Sequence, residues 1–519
     1  MSIEPASVRP DKRQPMRPNL YAFLAGLAAA CAFQPLGLWP AMLVCFGVLL
    51  HLVAAAPRLR SALARGWWFG LGNFVLGLNW IATAFTYQAA MPAWLGWVAV
   101  LLLSLYLAVY PAAAAGLAWR WGGKDPLRVV LLLAAAWIVT EWLRATLFTG
   151  FAWNPVGVVL LPTFVARLAT LVGTYGLSGI VVLLGGALWL LARRDWKAAA
   201  AIAAPPLAAA SLLLAFPGAV LAGKPPLLRI VQPDIGQQLK ATREGDEVAL
   251  ARLRRLSAHD PSQPRLVLWP EAAVDAPVET ALAYPFAQQE AAGLRAEIGA
   301  SIGPRDLLLS GFVGFRSRTG RQVTSATNSV FAMSPQGRIL ARYDKAHLVP
   351  YGEYLPMRPI LSAIGVARLV PGNIDFDPGP GPRTVSLPMV GKVGFQLCYE
   401  IVFSGQVVDR RNRPAFLFNP SNDAWFGRWG PPQHLAQARL RALEEGLPVL
   451  RSTPTGISAV IDADGRLLAS LGWRRMGVID TGLPLPKRPT PFARLGNLLP
   501  LLFALLIAAL AIAVRRKPG

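Results

Sequence analysis

Apolar runs of membrane-spanning length alternate with short charged segments through the first 216 residues, and one more such run lies near the C-terminal end. About 20 consecutive apolar residues cross a bilayer as a helix. The pattern therefore predicts a multi-pass α-helical membrane protein with about eight transmembrane helices, at 21–38, 41–56, 66–87, 93–119, 127–147, 164–191, 198–216 and 495–514.

The pattern changes between residues 217 and 494, where short segments of strand length replace the long apolar runs. Strands are predicted at 227–232, 265–269, 306–315, 328–333, 339–342, 392–397, 415–419 and 457–461. Helical patterns lie at 248–258, 285–299 and 433–445, and turn sequences at 334–337 and 462–465. Strands that alternate with helices predict a layered α/β domain.

The charged residues divide the chain in the same way, since 23 of the 28 acidic residues lie within 217–494. Of the 18 Lys and Arg residues outside that segment, 16 fall on one side of the membrane if the N-terminus is cytoplasmic. Short cytoplasmic loops carry the excess of Lys and Arg. We therefore expect both termini in the cytoplasm and the α/β domain on the outer face, which in a bacterium is the periplasm.

Two segments bear on this topology. The span 198–216 is interrupted by Pro205 and Pro206, and its loss would invert the orientation. The triplet at 28–30 has the form of a signal-peptidase site, but apolar character continues beyond it, so a retained helix is expected. The formal net charge of +23 is then explained by orientation and anionic lipid headgroups, and no nucleic-acid partner is expected.

Three side chains with the chemistry of acyl transfer follow predicted strands of the α/β segment. Cys398 follows 392–397 and precedes a helix predicted at about 403–411, whose N-terminus would lower the thiol pKa. Glu271 and Lys345 follow two other strands. Taken singly, Cys398 would be an inert buried residue and the other two ordinary surface charges. Together they have the chemistry of nucleophile, base and oxyanion stabiliser.

Three motifs resemble the carbon–nitrogen hydrolase (nitrilase) superfamily: Trp-Pro-Glu at 269–271, Asp-Lys-x-His-Leu-Val-Pro-x-Gly-Glu-x-x-Pro at 344–356 and Cys-Tyr-Glu at 398–400. More narrowly, the chain is similar to the apolipoprotein N-acyltransferase family over nearly its whole length, including 33–40, 141–144, 149–153, 421–427 and 430–434. The resemblance implies an αββα sandwich of the nitrilase type. The expected domains are a bundle of about seven helices at 1–216, a periplasmic catalytic domain at 217–494, and a C-terminal transmembrane helix with a basic tail at 495–519.

By this resemblance, Glu271 matches the general base, Lys345 the lysine that stabilises the oxyanion, and Cys398 the nucleophile. The supporting residues implied in the same way are Glu353, Tyr399 and Glu400.

Substrate contacts are expected at three further positions. By resemblance, Trp425 lies in a loop that holds the acyl substrate. Glu141 and Arg144 share one helix face, where they form either a structural ion pair or a contact to a substrate headgroup. Ala241 and Pro454 depart from the family, which usually has an aromatic residue and an asparagine there.

The resemblance implies a ping-pong N-acyl transfer. An acyl chain would pass from a membrane phospholipid to Cys398 as a thioester, and then to the α-amino group of a diacylglyceryl-cysteine on an apolipoprotein. No cofactor is expected, and no metal, because no histidine has a partner at ligand spacing. The sequence leaves the oligomeric state open, with a monomer expected.

Two alternatives share these residues. The first is a membrane-tethered amidase or nitrilase-type hydrolase that uses water as the acceptor, against which the large helical bundle argues. The second is an assembly factor or transporter with an inactive hydrolase-like domain, against which the complete set of Glu271, Lys345 and Cys398 argues.

Overall fold

The computed structural model describes residues 17–87, 92–216, 218–223, 225–240, 242–258, 263–363 and 374–513. The N-terminal part is a helical bundle: α1 (Arg17–Ala30), α2 (Trp39–Ala54), α3 (Leu59–Gly77), α4 (Ile81–Ala84), α5 (Leu95–Leu107), α6 (Val109–Gly122), α7 (Pro126–Thr146), α8 (Ala169–Ala192) and α9 (Trp196–Ala215). The helix α8 is bent at Gly173, whose φ of 65° lies outside the helical range.

Four helical segments of the described chain are long and apolar enough to cross a bilayer: Leu95–Gly122, Pro126–Thr146, Phe164–Ala192 and Trp196–Ala215. The bent pair of α3 with the segment Ile81–Tyr87 makes a fifth if it is one span. The last of the four covers the segment interrupted by two prolines, which is helical throughout. A membrane protein is therefore confirmed, while the count of eight crossings stays a prediction.

The α/β domain contains twelve strands within the described residues: β1 (Leu227–Gln232), β2 (Arg265–Leu268), β3 (Leu307–Arg316), β4 (Ser325–Met333), β5 (Ile339–Asp344), β6 (Thr384–Leu387), β7 (Gly391–Phe395), β8 (Phe416–Pro420), β9 (Val449–Ser452), β10 (Ser458–Ile461), β11 (Leu467–Leu471) and β12 (Gly477–Gly482). They form two six-stranded sheets, ordered β12-β1-β2-β3-β4-β5 and β11-β10-β9-β8-β7-β6. The remaining helices are α10 (Arg243–Leu256), α11 (Pro285–Gly299), α12 (Arg358–Ala363), α13 (Gly430–Glu445), α14 (Pro491–Leu495) and α15 (Leu498–Ala513).

Parallel pairing at the centre of each sheet brings strand ends together. In the first sheet β1, β2 and β3 are parallel, and in the second β7, β8 and β9 are parallel. β5 is antiparallel to β4, which is antiparallel to β3, so β5 also runs parallel to β2. The carboxyl ends of β2 and β5 therefore lie at one edge of their sheet.

The two sheets pack face to face, and helices cover their outer faces. Leu266 of the first sheet and Phe418 of the second belong to the core between them. Leu253 of α10 and Ile298 of α11 pack on the other face of the first sheet, and α13 covers the second sheet, with Leu440 in the same core as that sheet's outer face. This arrangement confirms the expected αββα sandwich.

The sequence-based helix at 403–411 is wrong. A 3-10 turn begins at Cys398 itself and ends at Val402, and Phe403 that follows has extended backbone angles. Further along, the side chain of Asp409 accepts hydrogen bonds from the backbone N–H groups of Arg411 and Asn412, which forms a turn in place of a helix. The strands β6, β9, β11 and β12 were not predicted, and three of them, β6, β11 and β12, lie at sheet edges.

The α/β domain is packed directly on the helical bundle. The turn Cys398–Val402 and the helix α13 share one continuous core with the bundle helices. The indole N–H of Trp153 donates to Oε1 of Gln433 at 2.8 Å, and the amide of Gln433 donates to the backbone carbonyl of Gln34 at 2.9 Å. Residues that end the strands of the second sheet therefore face the bundle.

Candidate active site

Glu271, Lys345 and Cys398 each follow the carboxyl end of a strand. Glu271 comes three residues after β2, Lys345 directly after β5, and Cys398 three residues after β7. All three are buried, with 6%, 1% and 5% of their surface exposed. The charges of Glu271 and Lys345 both act on the Cys398 thiol. The structure thus brings together the three residues that the sequence placed far apart.

A chain of hydrogen bonds fixes Glu271 relative to Lys345. The amide of Asn328, on β4, donates to Oε1 of Glu271 and to Oε1 of Glu353, both at 2.7 Å. Lys345 Nζ donates to Glu353 Oε1 at 2.9 Å. Buried charges are tolerated where an opposite charge and hydrogen bonds compensate them, as this network does for Glu271, Lys345 and Glu353. It leaves Lys345 with protons to offer a developing oxyanion.

The second carboxylate oxygen of Glu271 is available for a proton. Its Oε2 is buried and has no hydrogen-bond partner among the described residues. The close approach of the neighbouring strand requires glycine, because a Cβ on Gly311 would lie 2.6 Å from the Cα of Glu271. On the other side, Lys240 Nζ donates to the carbonyl of Ala272 at 2.6 Å. The backbone around the carboxylate is therefore held from both sides.

Burial raises the pKa of the Cys398 thiol well above its ordinary value, the negative charge of Glu271 adds to this, and Lys345 opposes it. The sequence had led us to expect a lowered thiol pKa from a following helix, which is absent. For Lys345, burial lowers the pKa, but the charges of Glu353, Glu271 and Cys398 outweigh it and raise the pKa overall. At neutral pH the site holds a protonated thiol beside an ammonium group, so attack by sulfur needs a base.

Glu400 joins the segments that carry Cys398 and Lys345. Its carboxylate accepts hydrogen bonds from the backbone N–H of Leu397 at 2.7 Å, Ala346 at 2.7 Å and His347 at 3.1 Å. The hydroxyl of Tyr343 donates to it at 2.9 Å. Burial raises the pKa of Glu400, and the backbone N–H groups oppose this. The residue acts on the site through the backbone of both segments.

Aromatic side chains connect the nucleophile to the bundle. Tyr399 stacks on Trp153, with ring centroids 6.5 Å apart and planes 16° apart. Trp425 lies in a 3-10 turn, Asp423–Phe426, and meets the ring of Tyr87 edge-on at 5.8 Å. Aromatic rings of the α/β domain, one of them adjacent in sequence to Cys398, therefore pack against rings of the bundle.

Glu141 and Arg144 are buried at the end of α7 and bind the loop that follows it. Arg144 Nη1 donates to the carbonyl of Trp153 at 2.8 Å, and Glu141 Oε1 accepts from the backbone N–H of Val156 at 2.9 Å. The two charged groups are 3.7 Å apart. These contacts match the structural alternative for the pair, and they position the Trp153 ring that stacks on Tyr399.

The sequence singled out neither Asn328 nor the buried group of Asp423, His434 and Arg451. His434 lies on α13, within the helical pattern predicted at 433–445, and is fully buried. Asn328 begins the predicted strand 328–333 between two other polar residues, Thr327 and Ser329, so no sequence pattern distinguished it. Of the two departures from the family, Pro454 is buried in the loop after β9, and Ala241 lies outside the described residues.

Two parts of the chain match two different protein-family models. Residues 25–187 match the family model of the apolipoprotein N-acyltransferase N-terminal domain, and residues 231–488 match that of carbon-nitrogen hydrolase. Among solved structures, the chain is similar to Saccharomyces cerevisiae Nit3, a member of branch 10 of the nitrilase superfamily. That match has 16% identity and a TM-score of 0.36, and it covers 58% of this chain and 99% of Nit3.

Curated relatives match from end to end. An apolipoprotein N-acyltransferase of Rhodopseudomonas palustris is 35% identical over 96% of this chain and 95% of its own length. One from Bradyrhizobium diazoefficiens is 37% identical over 96% and 95% of the two chains, and one from Caulobacter vibrioides 36% over 97% and 96%. Identity at this level over both chains shows that this chain belongs to the apolipoprotein N-acyltransferase family, a family of acyltransferase enzymes.

Proposed function

We propose that this enzyme moves a fatty acyl chain from a membrane phospholipid, through a thioester on Cys398, to the α-amino group of the diacylglyceryl-cysteine of apolipoproteins. The observation that carries this proposal is the buried arrangement of Glu271, Lys345 and Cys398 in a chain of this family. No cofactor takes part in the proposed reaction.

In the first half-reaction, Glu271 accepts the thiol proton as the sulfur of Cys398 attacks the ester carbonyl. Lys345 stabilises the negative charge on the tetrahedral oxygen. The carbon–oxygen ester bond then breaks, the proton returns from Glu271 to the leaving oxygen, and a lysophospholipid departs. Two observations support a base that acts during attack: Oε2 of Glu271 has no hydrogen-bond partner within the described part of the chain, and the thiol pKa is raised.

In the second half-reaction, the α-amino group attacks the thioester carbonyl. The new bond is an amide, Glu271 takes a proton from the amine, and the thiolate leaves and recovers its proton. Glu353, Glu400 and Tyr399 support the three reacting residues through the contacts described above. A covalent intermediate between two separate substrates gives ping-pong kinetics.

The membrane bundle supplies both substrates without extracting them into water, which would cost about 0.8 kcal/mol for each CH₂ group. The bacterial relatives and the apolar helices indicate a bacterial inner membrane protein. We propose eight crossings, with both termini cytoplasmic and the catalytic domain periplasmic. The proposed limits are 1–216 for the bundle, 217–494 for the catalytic domain and 495–519 for the last helix and tail.

Trp425 is proposed to contact the acyl substrate, because its turn packs against the bundle beside Tyr87. For Glu141 and Arg144 we propose an indirect role, through the loop that carries Trp153. A direct contact to the substrate headgroup is the alternative.

The test is mass spectrometry of the purified full-length protein after incubation with a defined phospholipid, beside Cys398→Ser and Cys398→Ala. We expect an added acyl mass on the Cys398 peptide, removed by neutral hydroxylamine and discharged by a diacylglyceryl-cysteine peptide faster than by water. Cys31 and Cys45 serve as internal controls and should stay unmodified. An adduct discharged equally fast by water would instead indicate a hydrolase, and the absence of any adduct an inactive domain.

A further inference from the structure

His434 lies directly behind the nucleophile. The residue is on α13 and none of its surface is exposed. Its Nε2 is 3.1 Å from the backbone carbonyl oxygen of Cys398. A carbonyl oxygen only accepts hydrogen bonds, so Nε2 must carry a proton. This requirement holds whether the imidazole is neutral or charged.

Two further buried charges hold the imidazole in place. His434 Nδ1 is 2.9 Å from Oδ1 of Asp423 and 3.0 Å from Nη2 of Arg451. The same Nη2 donates to both oxygens of the Asp423 carboxylate, at 2.8 and 2.6 Å. Gly456 completes the enclosure, because a Cβ there would lie 2.5 Å from an Asp423 oxygen. The ring is therefore fixed in orientation, as are catalytic imidazoles whose second nitrogen is bound.

The carbonyl that His434 binds belongs to a residue with unusual backbone geometry. Cys398 has a φ of 50°, in the left-handed region that non-glycine residues rarely adopt. Such a conformation is strained and persists only where its surroundings enforce it. Asn419 also approaches the same carbonyl, at a longer 3.4 Å. The shorter contact to that carbonyl comes from His434.

We propose that His434 is a positioning residue, whose Nε2–H holds the Cys398 carbonyl and so keeps the sulfur facing Glu271 and Lys345. The proposal rests on the role of Cys398 as nucleophile. His434 itself touches no substrate and exchanges no proton in the reaction. Asp423 and Arg451 act one step further back, by fixing the imidazole.

The first experiment compares full-length His434→Leu and His434→Gln in phospholipid nanodiscs. Leucine fills a similar volume without a donor, whereas the glutamine amide can donate near the position of Nε2. We expect His434→Leu to slow single-turnover thioester formation by about 10- to 100-fold, as displacements of about 1 Å do, with little change in the KM for phospholipid. His434→Gln should recover most of the rate. Gln437→Leu, three residues along the same helix, is the matched control.

The second readout needs no phospholipid. The rate of Cys398 alkylation by iodoacetamide, followed against pH, reports the surroundings of the sulfur. If the sulfur leaves Glu271 in His434→Leu, the midpoint of this profile moves to lower pH, and His434→Gln keeps the wild-type midpoint. This profile tests the inference even if the wild-type protein forms no acyl adduct, an outcome that would defeat the proposed function alone.

Three outcomes overturn the inference. They are wild-type rate and alkylation profile in His434→Leu, equal losses in the leucine and glutamine variants with unchanged unfolding temperatures, and equal losses in the Gln437→Leu control. If the leucine variant does not fold, ¹⁵N NMR of imidazole-labelled wild-type protein decides the matter. A protonated Nε2 on His434 supports the proposal, and a ring protonated only on Nδ1 contradicts it.

Discussion

The carboxylate of Glu400 accepts a hydrogen bond from the backbone N–H of Ala346 at 2.7 Å. Ala346 follows Lys345 in the segment after β5 of the first sheet, whereas Glu400 lies two residues beyond Cys398 in the second. This contact crosses from sheet to sheet, as do those from His347 and Tyr343 to the same carboxylate, and it ties the segment of Lys345 to that of Cys398. The activity should therefore depend on Glu400 although its carboxylate faces backbone N–H groups.

Glu400→Gln should slow thioester formation by about 100-fold, because one acceptor oxygen is replaced by an amide NH₂ group, a donor that faces backbone N–H donors. Tyr343→Phe is the matched comparison, since it removes only the hydroxyl that donates to the same carboxylate. We expect a loss of less than about tenfold for that variant. Single-turnover acylation measures both, and equal effects of the two substitutions would contradict a role through the backbone.

The pH midpoint of Cys398 alkylation should shift in opposite directions when Glu271 and Lys345 are replaced. Glu271 raises the pKa of Cys398 and Lys345 lowers it. Glu271→Gln should therefore move the midpoint of iodoacetamide alkylation to lower pH, and Lys345→Met should move it to higher pH. Acyl transfer should be lost in both variants. A midpoint that does not move in Glu271→Gln would show that the carboxylate does not act on the sulfur.

Gln433 joins the α/β domain to the helical bundle, so its replacement should destabilise the packing between them. Gln433→Ala removes an acceptor for the indole N–H of Trp153 and a donor to the Gln34 carbonyl. Unpaired buried groups of this kind cost about 1–3 kcal/mol each. The apparent unfolding temperature in nanodiscs should fall by several degrees. Gln437→Ala removes the same volume but only one long contact of 3.4 Å, and an equal fall there would assign the effect to the cavity.

Arg144 and Glu141 should behave as a coupled structural pair. Arg144→Met leaves the Glu141 carboxylate buried without its cation, which typically costs about 3–5 kcal/mol. The double variant Glu141→Gln with Arg144→Met should be less destabilised than the single one, as thermal unfolding would show. If Arg144 instead binds the phospholipid headgroup, Arg144→Lys would raise the KM for phospholipid and leave the unfolding temperature unchanged.

The sequence alone determined the division into a helical bundle and an α/β domain, because hydrophobic periodicity and the distribution of charge are local properties. It also predicted Glu271, Lys345 and Cys398 as site residues, each after a strand that the local sequence pattern predicts. Edge strands such as β6 and β11 were not predicted, because the burial of their residues depends on neighbours remote in the chain. The strand β9 was not predicted because it contains Arg451, a charged residue that is fully buried in the structure.

Only the tertiary structure decided how these residues act together. The pairing of Asn328 with both Glu271 and Glu353 depends on the register of β4 between its neighbours. The contact of His434 with Cys398 depends on the packing of α13 over the second sheet. The pKa of the thiol followed burial and the charge of Glu271 rather than a helix N-terminus. Burial and charge proximity arise from contacts between distant segments, and for that reason no local sequence pattern carries them.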